Sequence, residues 1–109
     1  IKPGLVGYVP VNVAIETPED CFLIVAARGS THKSGVMPVH GIGIGDSDFR
    51  GDNDEYKIPL LNFTKKSVRI ERGIRIGQGI FVKFIRAEWK EVTDMKSKNR
   101  GGFGSTGHR

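Results

Sequence analysis

Four glycine-bearing segments hold most of the residues able to do chemistry. The last is Arg100-Gly101-Gly102-Phe103-Gly104-Ser105-Thr106-Gly107. Glycines let a backbone approach a ligand closely and adopt positive φ. Consecutive main-chain N–H groups then form a nest for an anion. Ser105 and Thr106 add hydroxyl donors, and Arg100 adds a forked cation suited to phosphate. Phe103 offers a face on which a flat ring can stack. A plain linker accounts for the glycines equally well. It does not account for Arg, Phe, Ser and Thr at fixed offsets among them.

The second segment runs from Gly41 to Asp52, with Gly41, Gly43 and Gly45 at alternate positions before Asp46-Ser47-Asp48-Phe49. A hairpin with glycines on one side lets a planar ligand reach the backbone edge. On a strand, Asp46 and Asp48 share a face. One carboxylate can orient and deprotonate a water, and two can bind a metal. An ordinary acidic turn is an equal alternative. The third segment, Ala27-Arg28-Gly29-Ser30-Thr31-His32-Lys33-Ser34-Gly35, follows an apolar run, and its hydroxyls also suit plain turn capping. The fourth, Arg72-Gly73-Ile74-Arg75-Ile76-Gly77-Gln78, reads by itself as a turn.

The elements that must position these segments read as strands. Cys21–Ala27 is a short apolar run that stops at Arg28-Gly29-Ser30, which predicts a buried strand. Val36–Val39 is weaker, and Pro38 assigns it to an edge. Tyr56–Phe63 alternates in part, and Ser67–Glu71 alternates fully, as a half-exposed strand does. Gly79–Arg86 is the clearest strand. Only Ala87–Met95 hints at a helix, and it is too short to assign. This pattern predicts an all-β sandwich or barrel. Residues 1–96 form the β domain and residues 97–109, without periodicity, a flexible C-terminal arm.

Composition removes other classes. A chain of 109 residues predicts one domain. Cys21 is the single cysteine, so no internal disulfide forms, and buried in a strand it is no nucleophile. No apolar run approaches the roughly 18 residues of a membrane span, so no membrane partner is expected. Ile1 to Tyr8 carry no basic segment followed by an apolar one, so no signal peptide is expected, and the expected location is the cytoplasm, or the host cytoplasm for a viral chain. Lys and Arg outnumber Asp and Glu by 17 to 12, a formal charge of +5. The basic residues are scattered, and Asp46, Asp48, Asp52, Asp54 and Glu55 form an acidic cluster, so no nucleic-acid partner is expected. His32 and His40 read as surface residues.

Together the four segments resemble the trimeric dUTPases, which split dUTP into dUMP and pyrophosphate. Gly43–Gly51 is similar to the family's glycine–hydrophobic–Asp–x–Asp–Tyr–x–Gly signature. Arg72–Gln78 is similar to its Arg-Gly-x-Arg-Ile-x-Gln element, and Arg100–Gly107 to its phosphate-binding arm almost letter for letter. Arg28–Lys33, with Gly51-Asp52-Asn53-Asp54-Glu55, resembles a bacterial and phage branch. The resemblance spans roughly residues 20–109.

That resemblance implies a jelly-roll-like barrel or sandwich, a homotrimer with shared sites, and Mg²⁺ held through the phosphates and waters, with no direct protein ligand. Asp46 would position the attacking water. The backbone of the hairpin at Gly41, Gly43 and Gly45 would read the uracil edge. Phe49 would lie under the sugar and reject a 2′-hydroxyl. Arg28, Gly29 and Ser30 would face the phosphates across a subunit boundary. Gln78 would hold phosphate or metal waters. Arg100 would close over the γ-phosphate with the nest Gly102, Phe103, Gly104, Ser105 and Thr106, Phe103 stacking on uracil. A small sandwich also gains from the apolar surface that a trimer buries.

The departures are specific. The family's first motif, Ala-Gly-Tyr-Asp-Leu, has only a degenerate counterpart in Val6-Gly7-Tyr8-Val9-Pro10, or none. Gly29 stands for a serine, Phe49 for the usual tyrosine, and Gly45 for a hydrophobic residue. A second reading follows: a dUTPase-fold protein with weak or no turnover, acting as a nucleotide-binding or regulatory module. The related dCTP deaminases fit less well, because no glutamate stands near Asp46 as their base.

Overall fold

The apolar run at 21–27 becomes the central strand of a sheet. The computed structural model describes residues 1–104, so Ser105 and Thr106 lie outside the described residues. The strands are β1 (Val6–Pro10), β2 (Cys21–Ala27), β3 (Val36–Pro38), β4 (Gly43–Gly45), β5 (Lys57–Asn62) and β6 (Gly77–Lys83), with a 3₁₀ turn at Thr31–Ser34. They make two antiparallel sheets, ordered β1-β5-β3 and β4-β2-β6. The all-β sandwich expected from the strand pattern is the fold found.

In β2, Cys21, Leu23 and Val25 are buried while their neighbours are half-buried. This period-two pattern turns one face of the sheet inward. Leu23 and Val25 from that sheet meet Val36, Ile58 and Leu60 from the other, with Tyr56 and Ile76 completing the core. The Cys21 thiol is held above its ordinary pKa, first by desolvation and then by the Asp20 carboxylate. That direction suits a packing residue rather than a nucleophile.

Pro59 stands in a central strand, where proline is rarely tolerated. The reason is local. The Pro59 carbonyl accepts from Val39 N at 2.9 Å, just past the end of β3 at Pro38. Its missing N–H therefore faces the side where the ladder has already stopped. Pro38 itself lies on an edge strand, as expected.

Asn62 is fully buried and satisfied. Its Nδ2 donates to Ile1 O at 2.9 Å and Lys66 O at 2.7 Å, and its Oδ1 accepts from Thr64 N at 2.8 Å. It ties the chain start to the turn after β5.

Two strand expectations change. Ser67–Glu71 alternates in burial but is not a strand. Val68 and Ile70 pack against the core, but among the described residues the segment's long-range backbone bonds are to Ile1 alone, through Val68 N to Ile1 O at 2.9 Å and the return bond from the Ile1 amino group. A single residue cannot supply a ladder. β6 begins two residues before Gly79 and ends at Lys83, where β2 has no residue left to pair. Ala87–Met95 is not helical.

Beyond Phe84, which packs on Phe22 at 6.0 Å between ring centroids, the chain leaves the sheets. Ile85, Trp89 and Met95 are 95%, 98% and 78% exposed. The radius of gyration is accordingly 18.9 Å, against about 13 Å for a compact domain of this length.

Candidate active site

Two of the four segments come together at one end of β2. The ladder pairs Ala26 with Gln78 and Ala27 with Gly77. Gln78 Nε2 donates to Ala27 O at 2.9 Å, so its amide caps the strand edge and is pinned beside Arg28. The Arg28 guanidinium donates to Arg75 O at 3.2 Å. Thr31 does the joining. Its buried hydroxyl accepts from Arg28 N at 2.8 Å and donates to Ile76 O at 2.9 Å. Gly29 and Ser30 are exposed on the turn between them. Arg28, Arg72, Arg75 and Gln78 rim an open cavity of about 970 Å³ whose floor includes Tyr56 and Ile76. Glu55 and Glu71 also line the cavity, so its three guanidinium groups exceed its carboxylates by one, a modest bias toward an anion.

The Asp46 segment lies at the other end of β2. Gly45 pairs with Leu23 and Gly43 with Val25. β3 and β4 belong to different sheets, so the Gly41–Gly45 stretch is not half of a ladder hairpin. Asp46 and Asp48 follow the strand and do not share a strand face. They lie in a turn closed by Phe49 N to Asp46 O at 3.1 Å. Asp46 is exposed, as a group that handles water should be. The Phe49 ring is 37% exposed and meets the Tyr56 ring edge-on, with centroids 5.1 Å apart at 79°.

Gly45 has a steric reason. A Cβ there would collide with the Tyr56 hydroxyl and stand 2.8 Å from its Cζ. Tyr56 thus fills the volume that a side chain at 45 would take. Its buried hydroxyl has no hydrogen-bond partner, a cost of about 1–3 kcal/mol.

The C-terminal segment stands apart from both groups. Phe103 is fully exposed, and the Arg100 Nε donates to Gly101 O at 3.2 Å. The backbone has the expected irregularity, with φ of 84° at Gly101, 53° at Phe103 and 88° at Gly104. Alternation of left-handed residues with others is how a nest turns N–H groups to one side.

The residues named from sequence are therefore placed in three groups. Arg28, Gly29, Ser30 and Gln78 form one. Gly43, Gly45, Asp46 and Phe49 form another, with Gly41 leading into it. Arg100, Gly102, Phe103 and Gly104 are the third. The turn-capping hydroxyl of Thr31 is legible in sequence and is found on Arg28 N, whereas its bond to Ile76 and the parts of Arg75 and Tyr56 are not legible. Thr31 and Arg75 act through non-local bonds, and Tyr56 read only as the start of a strand. Among the described residues no three or more His, Cys, Asp or Glu are grouped to hold a metal. No helix among them is long and apolar enough to cross a membrane.

A family model described as dUTPase matches residues 1–107. The chain belongs to the dUTPase family. The match begins at residue 1, so the likeness reaches further than the motif-based span of 20–109. A deoxyuridine 5'-triphosphate nucleotidohydrolase from Rickettsia typhi is 38% identical over 110 residues, covering 98% of this chain and 72% of that one. A Streptococcus mutans dUTPase structure aligns with a TM-score of 0.76 at 25% identity, covering 82% of this chain and 73% of that one. A Staphylococcus bacteriophage 80alpha dUTPase variant with dUpNHpp aligns at 0.78 and 18% identity, covering 99% and 79%. At that identity the likeness is one of fold.

Proposed function

We propose that this chain hydrolyses dUTP to dUMP and pyrophosphate, with Asp46 positioning the attacking water. The observation that carries this reading is the exposed Asp46–Phe49 turn at the end of β4, in a chain matching the dUTPase family over 1–107. A carboxylate at a turn tip can hold a water by hydrogen bond and take its proton as it attacks. Phe49 beside it gives a flat, half-exposed face for the sugar, and a ring so close leaves little room for a 2′-hydroxyl. The backbone at Gly41, Gly43 and Gly45 would present N–H and C=O groups to the uracil edge.

The Arg28–Gln78 rim would take the phosphates, with Gly29 and Ser30 at its turn. Fixed guanidinium groups hold charge that grows on phosphoryl oxygens without reorganising in the reaction. Gly102, Phe103, Gly104, Ser105 and Thr106, led by Arg100, would close over the γ-phosphate with Phe103 on uracil. Residues 1–96 are then the body and 97–109 the closing arm.

The donor set fits a Mg²⁺ that arrives on the phosphates and keeps its waters, since the described residues offer no carboxylate cage. Bound in that way, it supplies neutralisation of the triphosphate charge.

The assembly would be a homotrimer with shared sites. β2 separates its two chemical ends within one chain. Asp46 lies level with Phe22, six residues from Arg28. At about 3.3 Å per residue that is about 20 Å, too far for one nucleotide pocket and a short triphosphate to bridge with close contacts at both ends. A second copy would bring its Arg28 to this chain's Asp46. The exposed Ile85, Trp89 and Met95 are apolar surface for such contact to cover.

The deciding experiment is pyrophosphate release from dUTP with Mg²⁺, compared with Asp46→Asn. Release by the parent and its loss in the variant supports the reading. No release by the parent, with dUTP binding retained, overturns it in favour of a binding module.

A further inference from the structure

Tyr56 lies outside every motif, yet it packs beneath Gly45, just before Asp46, and against Phe49, three residues after it. Its backbone is fixed on both sides, with Tyr56 N donating to Val13 O at 3.0 Å and Val11 N donating to Tyr56 O at 3.1 Å. Its side chain is 7% exposed, so the ring has one seat. That seat is the space beneath Gly45, which any Cβ would close. From there the ring meets Phe49 edge-on at 5.1 Å. Phe49 in turn closes the Asp46 turn through its N–H. We propose that Tyr56 is a positioning residue of the nucleotide site: admitted beneath β4 by Gly45, its ring fixes Phe49 and, through it, the Asp46 turn.

What Phe49 would touch rests on the proposed dUTP site. The ring arrangement stands by itself. An exposed phenylalanine at a turn otherwise has several rotamers open to it. A rigid partner at its edge selects one, and selection before binding is what makes a ring an effective steric filter. Gly45 and Tyr56 are then coupled. The glycine matters because the tyrosine is there.

The test compares Tyr56→Leu, Gly45→Ala, the two combined, and Tyr56→Phe. The readout is the preference for dUTP over UTP in kcat/KM, with Tm measured in parallel. Tyr56→Leu and Gly45→Ala each lower the preference by about threefold to tenfold, the range of an edge-to-face contact. The double variant loses no more than Tyr56→Leu, because the added methyl no longer strikes a ring. Tyr56→Phe, which keeps the ring, recovers most of the loss. A purely structural role would lower Tm and leave the preference within about twofold, and that result overturns the proposal. Losses that multiply in the double variant also overturn it. If the parent releases no pyrophosphate, the catalytic reading fails separately, and ring-to-ring NOEs decide the pair. Phe49–Tyr56 NOEs present in the parent and lost in Gly45→Ala support it, and their absence in the parent overturns it.

Discussion

Asp46 and Arg28 lie at opposite ends of β2 in one chain. The ladder sets Gly45 against Leu23, while Arg28 follows the last paired residue, Ala27. Two inactive variants should therefore complement each other. Asp46→Asn and Arg28→Ala, each near background alone, are unfolded and refolded together. Random mixing places both native groups at about a quarter of the sites, so about that fraction of parent activity returns. No recovery in mixed oligomers would mean that each site is built from one chain.

Asp46→Asn keeps the shape of the turn and removes the carboxylate proposed as the base. Pyrophosphate release should fall by about 10²–10⁴, the usual contribution of a positioned base. Nucleotide binding by calorimetry should change little. A variant within tenfold of the parent would remove Asp46 from the chemistry.

Thr31→Val tests the bolt between Arg28 and Ile76. The substitution is close in volume but leaves Arg28 N and Ile76 O without their partner. A loss of about 1–3 kcal/mol in urea unfolding is expected. The KM for dUTP should rise as the Arg28 turn loosens, with kcat less affected.

Ending the chain at Asn99 removes the proposed closing segment and no buried residue of the described part. Thermal unfolding should stay within about a degree, because surface removal away from packed features costs little. Pyrophosphate release should drop by about tenfold to a hundredfold, since closure over phosphate shields it from water. Unchanged release would leave the arm without a part in turnover.

Cys21 predicts a pH dependence. Its thiol pKa is raised in the folded state, by desolvation first. The folded chain therefore holds this proton more tightly than the unfolded one. Its contribution is complete below the ordinary thiol pKa and is lost as pH rises through the raised value. Unfolding midpoints should fall more steeply above about pH 9 in the parent than in Cys21→Ala. Equal slopes would assign the alkaline loss elsewhere.

Local patterns were legible where local physics decides them. Alternation and bounded apolar runs marked β2, all of β5 and most of β6. Glycine, arginine and hydroxyl spacing marked the Arg28, Asp46, Gln78 and Arg100 segments. Ser67–Glu71 misled because alternation reports which face is wet, not whether a partner strand exists. Among the described residues, Val68 finds only Ile1 as a backbone partner. Pro59 is tolerated within β5, inside the stretch read as a strand, because its carbonyl meets Val39 just past the end of β3.

The sequence by itself determined the strand-rich class, the motif segments and the family they belong to. These depend on side-chain period and on residue types at short range. The tertiary structure alone decided the ends of β2 to which the motifs go, the Thr31 hydroxyl that joins two of them, and the seating of Tyr56 beneath Gly45. Those relations depend on register and on contact between residues far apart in the chain. A glycine at 45 is a departure from pattern in sequence; only the ring packed against it gives it a cause.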